Sequence, residues 1–150
     1  HPKGNTRPLP PEVPKEYTSD FREACNVLPE SAKASAAISR RLLQHLLREK
    51  AGVKPSDLAK EIDEVVHSGK LPSHLVDAID AVRSLGNFAT HPIKSTNTGE
   101  IIDVEPEEAE WLLDTLEGLF DFYFVQPAKL KQKHAVLDKK LQDAGKPPMK

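Results

Sequence analysis

The sequence predicts an all-α fold: a bundle of five to six helices, with a short loop or small β-hairpin between the fourth and fifth. Three observations predict it. Apolar residues recur at i, i+3 and i+4 spacing through most of the chain. No stretch of useful length alternates apolar and polar as a half-buried strand does. Residues that start and stop helices fall between the apolar stripes. At 150 residues there is room for one domain and one sizeable core.

The elements follow in order. Residues 1–16, HPKGNTRPLPPEVPKE, hold five prolines and almost no large apolar residue. Proline lacks a donor and breaks helices, so this reads as an extended linker or arm. The first helix is expected at about 19–28, with Thr18 or Ser19 as N-cap. Phe21, Ala24, Cys25 and Leu28 share one face, and Pro29 stops it. The second runs about 31–51. Ile38, Leu42, Leu43, Leu46 and Leu47 form a broad stripe, and Gly52 ends it. The third begins at PSDLAKEI with Ser56 as cap; Leu58, Ile62, Val65 and Val66 face inward and Gly69 stops it.

The fourth helix starts near Pro72-Ser73, and Leu75, Ile79, Val82 and Leu85 follow on one flank. PIKSTNTGEIIDVEP is then a loop, where Ile101-Ile102 suggest the small hairpin. Glu105-Pro106 opens the fifth helix, with Glu107, Glu108 and Glu110 favourably near its N-terminus. Its apolar face holds Trp111, Leu112, Leu116, Leu119, Phe120 and Tyr123. A last helix, about 127–143, is basic, with Leu130, Leu137 and Leu141 as a thin apolar seam. The organisation expected is an arm at 1–16, a helical domain at 17–125, and a basic helix and tail at 126–150.

Charge is uneven. The net charge is −2, but residues 126–150 carry seven Lys against Asp138 and Asp143, a local +5; the first 125 residues therefore carry −7. That is not the balance of a high-affinity nucleic-acid binder. No run is long and apolar enough for a membrane helix, so no membrane partner is expected. One cysteine, Cys25, excludes an internal disulfide or a multi-cysteine zinc site, and it reads as a small core hydrophobe in a reducing, cytoplasmic setting. The chain opens on His rather than Met and is read as a fragment or processed product.

Common catalytic motifs are missing: there is no HExxH, no phosphate-cradling Gly-rich loop and no nucleophile elbow. His45, His67, His74 and His134 are scattered on helix surfaces or ends, so no metal site and no cofactor are expected. Arg41 and His45 share a helix face at i, i+4, and a carboxylate such as Glu23 could pair with them.

The most pointed stretch is RSLGNFATHP, residues 83–92. Gly86-Asn87 could end the fourth helix in a left-handed turn, and Pro92 pushes His91 out of helical geometry. If the helix instead runs on, Asn87 and His91 stack at i, i+4. Arg83 then lies about 12 Å and about 80° of rotation from His91, so the two converge only through long side chains or across two copies of the chain. An imidazole moves protons near neutral pH, and a guanidinium holds a phosphate. Together they suit metal-free RNA cleavage, with the 2′-hydroxyl attacking its own phosphate.

Three pieces carry a resemblance: the double-Arg helix SRRLLQHLL, the R-x-x-G-N-x-x-x-H block, and the closing EEAEWLLDTLEGLFDFYF helix. Residues 17–125 resemble the domain of unknown function 4145 family, which is similar to the HEPN superfamily of small, often dimeric α-helical bundles. Many HEPN proteins are metal-independent ribonucleases whose motif is Arg, four to six residues, then His. The resemblance puts the motif Arg on Arg83 and the motif His on His91, with a gap of seven residues. Ser84 takes the polar position after the Arg, and Asn87 a similar role.

Two main readings follow, with a third behind them. In one, the domain is a non-catalytic helical interaction or dimerisation module serving a nucleic-acid-related or defence system. It forms a homodimer or docks on an upstream effector domain, and Arg83, Asn87 and His91 make a structural polar network. In another it is a dimeric ribonuclease, with His91 as general acid/base, Arg83 on the phosphate of the RNA, and Asn87 orienting His91. The third is a nucleotide or small-molecule sensor.

Overall fold

The computed structural model describes residues 7–90 and 104–148, the side chains of 86–90 excepted. Its helices are α1 (Lys15–Val27), α2 (Ala32–Leu46), α3 (Leu58–Ser68), α4 (Ser73–Thr90), α5 (Pro106–Phe120) and α6 (Gln126–Asp143). A π-helical turn, Leu47–Ala51, extends α2, and another, Asp121–Val125, joins α5 to α6. The chain is therefore five continuous helical stretches, and no strand occurs among the described residues. The all-α expectation holds. The hairpin expected around Ile101-Ile102 lies outside the described residues.

α2 and α5 pack together at the centre. α1 lies on α2, α4 on α5, and α3 on α4. Tyr17, Phe21, Leu42, Leu43, Leu46, Leu47, Ile62, Ile79, Leu112, Leu113, Leu116 and Phe120 are the largest fully buried side chains. All but Tyr17 and Leu113 fall on the stripes that helical spacing picks out. Small residues let helices approach. The buried Ser35 hydroxyl donates to the Ala24 carbonyl at 2.8 Å, tying α2 to α1. A Cβ on Gly118 would meet Leu75 Cδ2 at 2.9 Å, where α5 passes close to α4.

Several boundaries differ from expectation. α1 starts at Lys15, with Pro14 at the N-cap position (φ −60°, ψ 148°), not at Thr18 or Ser19. Proline's fixed φ pre-sets that entry, and the earlier start buries Tyr17. The proline-rich lead-in is held against the bundle from Arg7 onward. Val13 is buried, Leu9 packs on the core, and Arg7 Nη1 lies 2.6 Å from both Asp114 and Glu117 of α5. α3 is capped by Asp57, whose carboxylate accepts from the Lys60 N–H at 3.0 Å, not by Ser56. Gly52 and Gly69 end their helices in the left-handed region, at φ 68° and 71°, as the sequence predicts. Glu105 and Glu108 form a capping box at the start of α5.

Beneath the α2 end is a buried charge. Glu61 is fully buried, and its Oε2 accepts from Arg48 Nε and from the Ser56 N–H, each at 2.8 Å; Arg48 Nη2 lies 2.8 Å from the same oxygen as an ion pair and donates to the Ser56 carbonyl at 3.2 Å. This network fastens the first π-helical turn and the following loop to α3.

α6 stands apart. None of its residues is buried, and its neighbour is the π-helical turn that leads into it. Pro127 sits in its first turn. The proline ring would press on the carbonyl four residues back, that of Tyr123, and Tyr123 lies in the widened turn, where the Gln126 N–H reaches Asp121 O.

Candidate functional site

α4 continues through Gly86 and Asn87 to Thr90, so the left-handed stop does not occur there. His91 is the next residue and lies outside the described residues, as does the Asn87 side chain. Arg83 is described in full. Its Nε and Nη2 donate to Asp80 Oδ1 at 3.1 and 2.8 Å, and its Nη1 lies 3.0 Å from Asp63 Oδ1. Asp80 is one turn back on α4, and Asp63 is on α3. The guanidinium is thus a tie between two helices, with two carboxylates already on it.

Beside it, Ala81, Ser84, Leu85, Glu107, Glu108 and Trp111 line a shallow groove between α4 and α5. Trp111 is 42% exposed, and its indole N–H donates to the Ala78 carbonyl at 3.1 Å. The expected apolar face of α5 therefore excludes Trp111, which bridges to α4 at the surface. Glu107 and Glu108 make the groove rim acidic, which repels a phosphate.

The double-Arg helix divides its labour. Arg41 is exposed, and Arg40 turns inward. Burial lowers the Arg40 pKa, while nearby Glu108 works to raise it. Its Nε and Nη2 have no hydrogen-bond partner among the described residues. Cys25 is 4% exposed and burial raises its thiol pKa, consistent with a core hydrophobe.

His45 gathers a second constellation. It faces Glu16 (3.7 Å) and Glu49 (3.4 Å), not Glu23. Its ring stacks on Tyr17 with centroids 4.8 Å apart, and the Tyr17 hydroxyl donates to Glu49. Lys50 lies over the Phe124 ring at 5.3 Å, so the two π-helical turns meet beside this cluster. The Tyr17 hydroxyl holds the Glu49 carboxylate below its ordinary pKa, with Glu16 and His45 adding to the effect. The His45–Glu49 spacing of four residues is legible in the sequence; Glu16 is missed because the first helix is expected to start after it.

Burial and then the Glu49 carboxylate push the Tyr17 phenol well above its ordinary pKa. A raised folded-state pKa contributes stability that is complete below the unfolded value, about 10, and is lost as pH rises toward the folded one. Urea unfolding is therefore expected to show stability falling above about pH 10, and falling less in Tyr17→Phe. Equal slopes for the two proteins between about pH 10 and 12 would refute this coupling.

Residues 22–143 match the family described as domain of unknown function (DUF4145), and the chain belongs to that family. No curated protein and no solved structure matches it. No helix among the described residues is long and apolar enough to cross a membrane.

Proposed function

We propose that the domain is a non-catalytic helical interaction module that dimerises through α6. The observation that carries this is α6 itself. Leu130, Val136 and Leu137 are 63%, 68% and 48% exposed on a helix with no buried residue. Helices gain most of their stability from packing an apolar face, and a grouped exposed apolar surface marks an interaction site. Lys129, Gln132, Lys133, Val136 and Leu137 line one shallow groove on this helix.

Charge complementarity supports a second copy of the chain as the occupant. The C-terminal segment carries +5 and the remainder −7. The Trp111 groove, apolar with Glu107 and Glu108 on its rim, is suited to receive a lysine-flanked apolar helix. Two α6–groove contacts related by a two-fold axis close such a dimer.

The ribonuclease reading is weaker. Arg83 already holds two carboxylates, and the neighbouring groove is acidic. The same ion pairs suit the structural role of Arg83 in an interaction module, and they make the nucleotide-sensor reading equally weak at this place.

Sedimentation of the full chain tests the proposal. The wild type is expected to be a dimer at tens of micromolar and to dissociate as salt is raised, because exposed charge attraction is screened. Val136→Glu/Leu137→Glu is expected to be monomeric with unchanged helicity. A monomeric wild type, or a variant that dimerises equally, overturns dimerisation through α6. Cleavage of single-stranded RNA in EDTA by the wild type overturns the non-catalytic assignment.

A further inference from the structure

The geometry points to a site for a divalent first-row transition metal ion, with zinc the best fit, formed by Glu16, His45 and Glu49. The site is separate from both α6 and the Arg83 block. One ligand atom from each residue lies within 4.8 Å of the others. His45 Nε2 is 3.4 Å from Glu49 Oε1 and 3.7 Å from Glu16 Oε1. A tetrahedral ion with bonds of about 2.0–2.1 Å holds its ligands about 3.3–3.4 Å apart. Two of the three edges are therefore within a few tenths of an ångström of a metal site.

The donor set is chemically apt. Imidazole and carboxylate suit a borderline ion such as zinc, whereas calcium and magnesium take oxygen ligands. Two carboxylates converge on one imidazole nitrogen. Among the described residues, neither Glu16 nor Glu49 has an ion-pair partner other than His45. A divalent cation between them would neutralise both.

The supporting residue is buried, and it comes from a different helix than His45. Tyr17 is 1% exposed, so its position is fixed by the core. Its ring face sets the plane of the His45 imidazole, and its hydroxyl holds Glu49. Metal ligands are oriented by outer hydrogen bonds and packing of this kind. The three ligands are each about half exposed, at 55%, 41% and 49% for Glu16, His45 and Glu49. A fourth coordination position would therefore open to water, as in sites with three protein ligands.

Calorimetric titration of zinc into the metal-free full chain at pH 7 tests this. One site in the micromolar range is expected. His45→Ala and Glu49→Gln should each weaken it more than about 10-fold, and Tyr17→Phe by about 10-fold through lost orientation. His67→Ala and His134→Ala should bind as the wild type does. Zinc should also raise the melting temperature of the wild type and leave that of His45→Ala unmoved. Because His45 and Glu49 are half exposed, both variants are expected to fold, and circular dichroism checks this. Equal zinc affinity in the wild type and folded His45→Ala overturns the site. So does the lack of any wild-type site tighter than millimolar; the cluster is then a polar contact between α1 and α2 and nothing more.

Discussion

Phe120→Ala is expected to cost about 3–5 kcal/mol of unfolding free energy. Phe120 is 1% exposed and stands where three other rings meet. It lies edge-on to Phe21 at 5.8 Å and tilted to Tyr17 at 5.9 Å and Phe124 at 6.2 Å. Two of these rings belong to α1 and one to the second π-helical turn, while Phe120 ends α5, so little can collapse into the space without moving a helix. Truncation therefore loses both the transfer energy and the contacts around the cavity. In a domain of this length the melting temperature should fall on the order of 10 °C. Leu137→Ala, on the exposed face of α6, is the contrast and should stay within about 0.5 kcal/mol for the monomer. A loss below about 1 kcal/mol for Phe120→Ala would mean that the aromatic cluster is not a packed core.

Arg48→Met should be nearly as damaging, at about 2–4 kcal/mol. Glu61 is the fully buried carboxylate, and Arg48 supplies its cation and one of its two hydrogen bonds, the other coming from the Ser56 N–H. Removing the cation strands a charge that has no access to water. The figure lies somewhat below that for a wholly buried pair because the Arg48 side chain is 40% exposed. The double variant Arg48→Met/Glu61→Gln isolates the cause. Gln keeps an acceptor for the Ser56 N–H and discards the charge, so it should recover more than half of the loss. Additive losses in a double-mutant cycle from urea unfolding would show that the two residues do not interact.

Most of the fold is legible in the sequence because its signals are local. Gly52 and Gly69 stop helices by adopting a conformation open to few other residues. The α5 start is written in Glu105, Pro106 and Glu108 within four positions. What escapes is whatever depends on a distant partner. The lead-in reads as an extended linker or arm, and nothing local in it announces that Arg7 pairs with Asp114 and Glu117 on α5. Ser56 and Asp57 are both good caps, and only the backbone path decides that Asp57 reaches the Lys60 N–H. The same holds for the sites. Asp80 can be anticipated three residues before Arg83, but Asp63 comes from another helix. His45 and Glu49 share a face on the page; Glu16 and Tyr17 join them only when α1 is laid against α2. The π-helical turns leave little trace, since one extra residue hardly disturbs an apolar stripe, although Pro127 marks the second.

That second turn has a consequence for how the chain can change length. A π-helical turn holds one residue more than the α-helical turn it replaces. Deleting a single residue from Asp121–Val125 would turn the wide turn back into an ordinary one and leave everything beyond it on nearly the same heading. A deletion within Gln126–Asp143 has no such slack and would swing the residues after it by about 100° around the axis. The widened turn is thus the place where this long helix can lose a residue while Leu130, Val136 and Leu137 keep facing the same quarter of space.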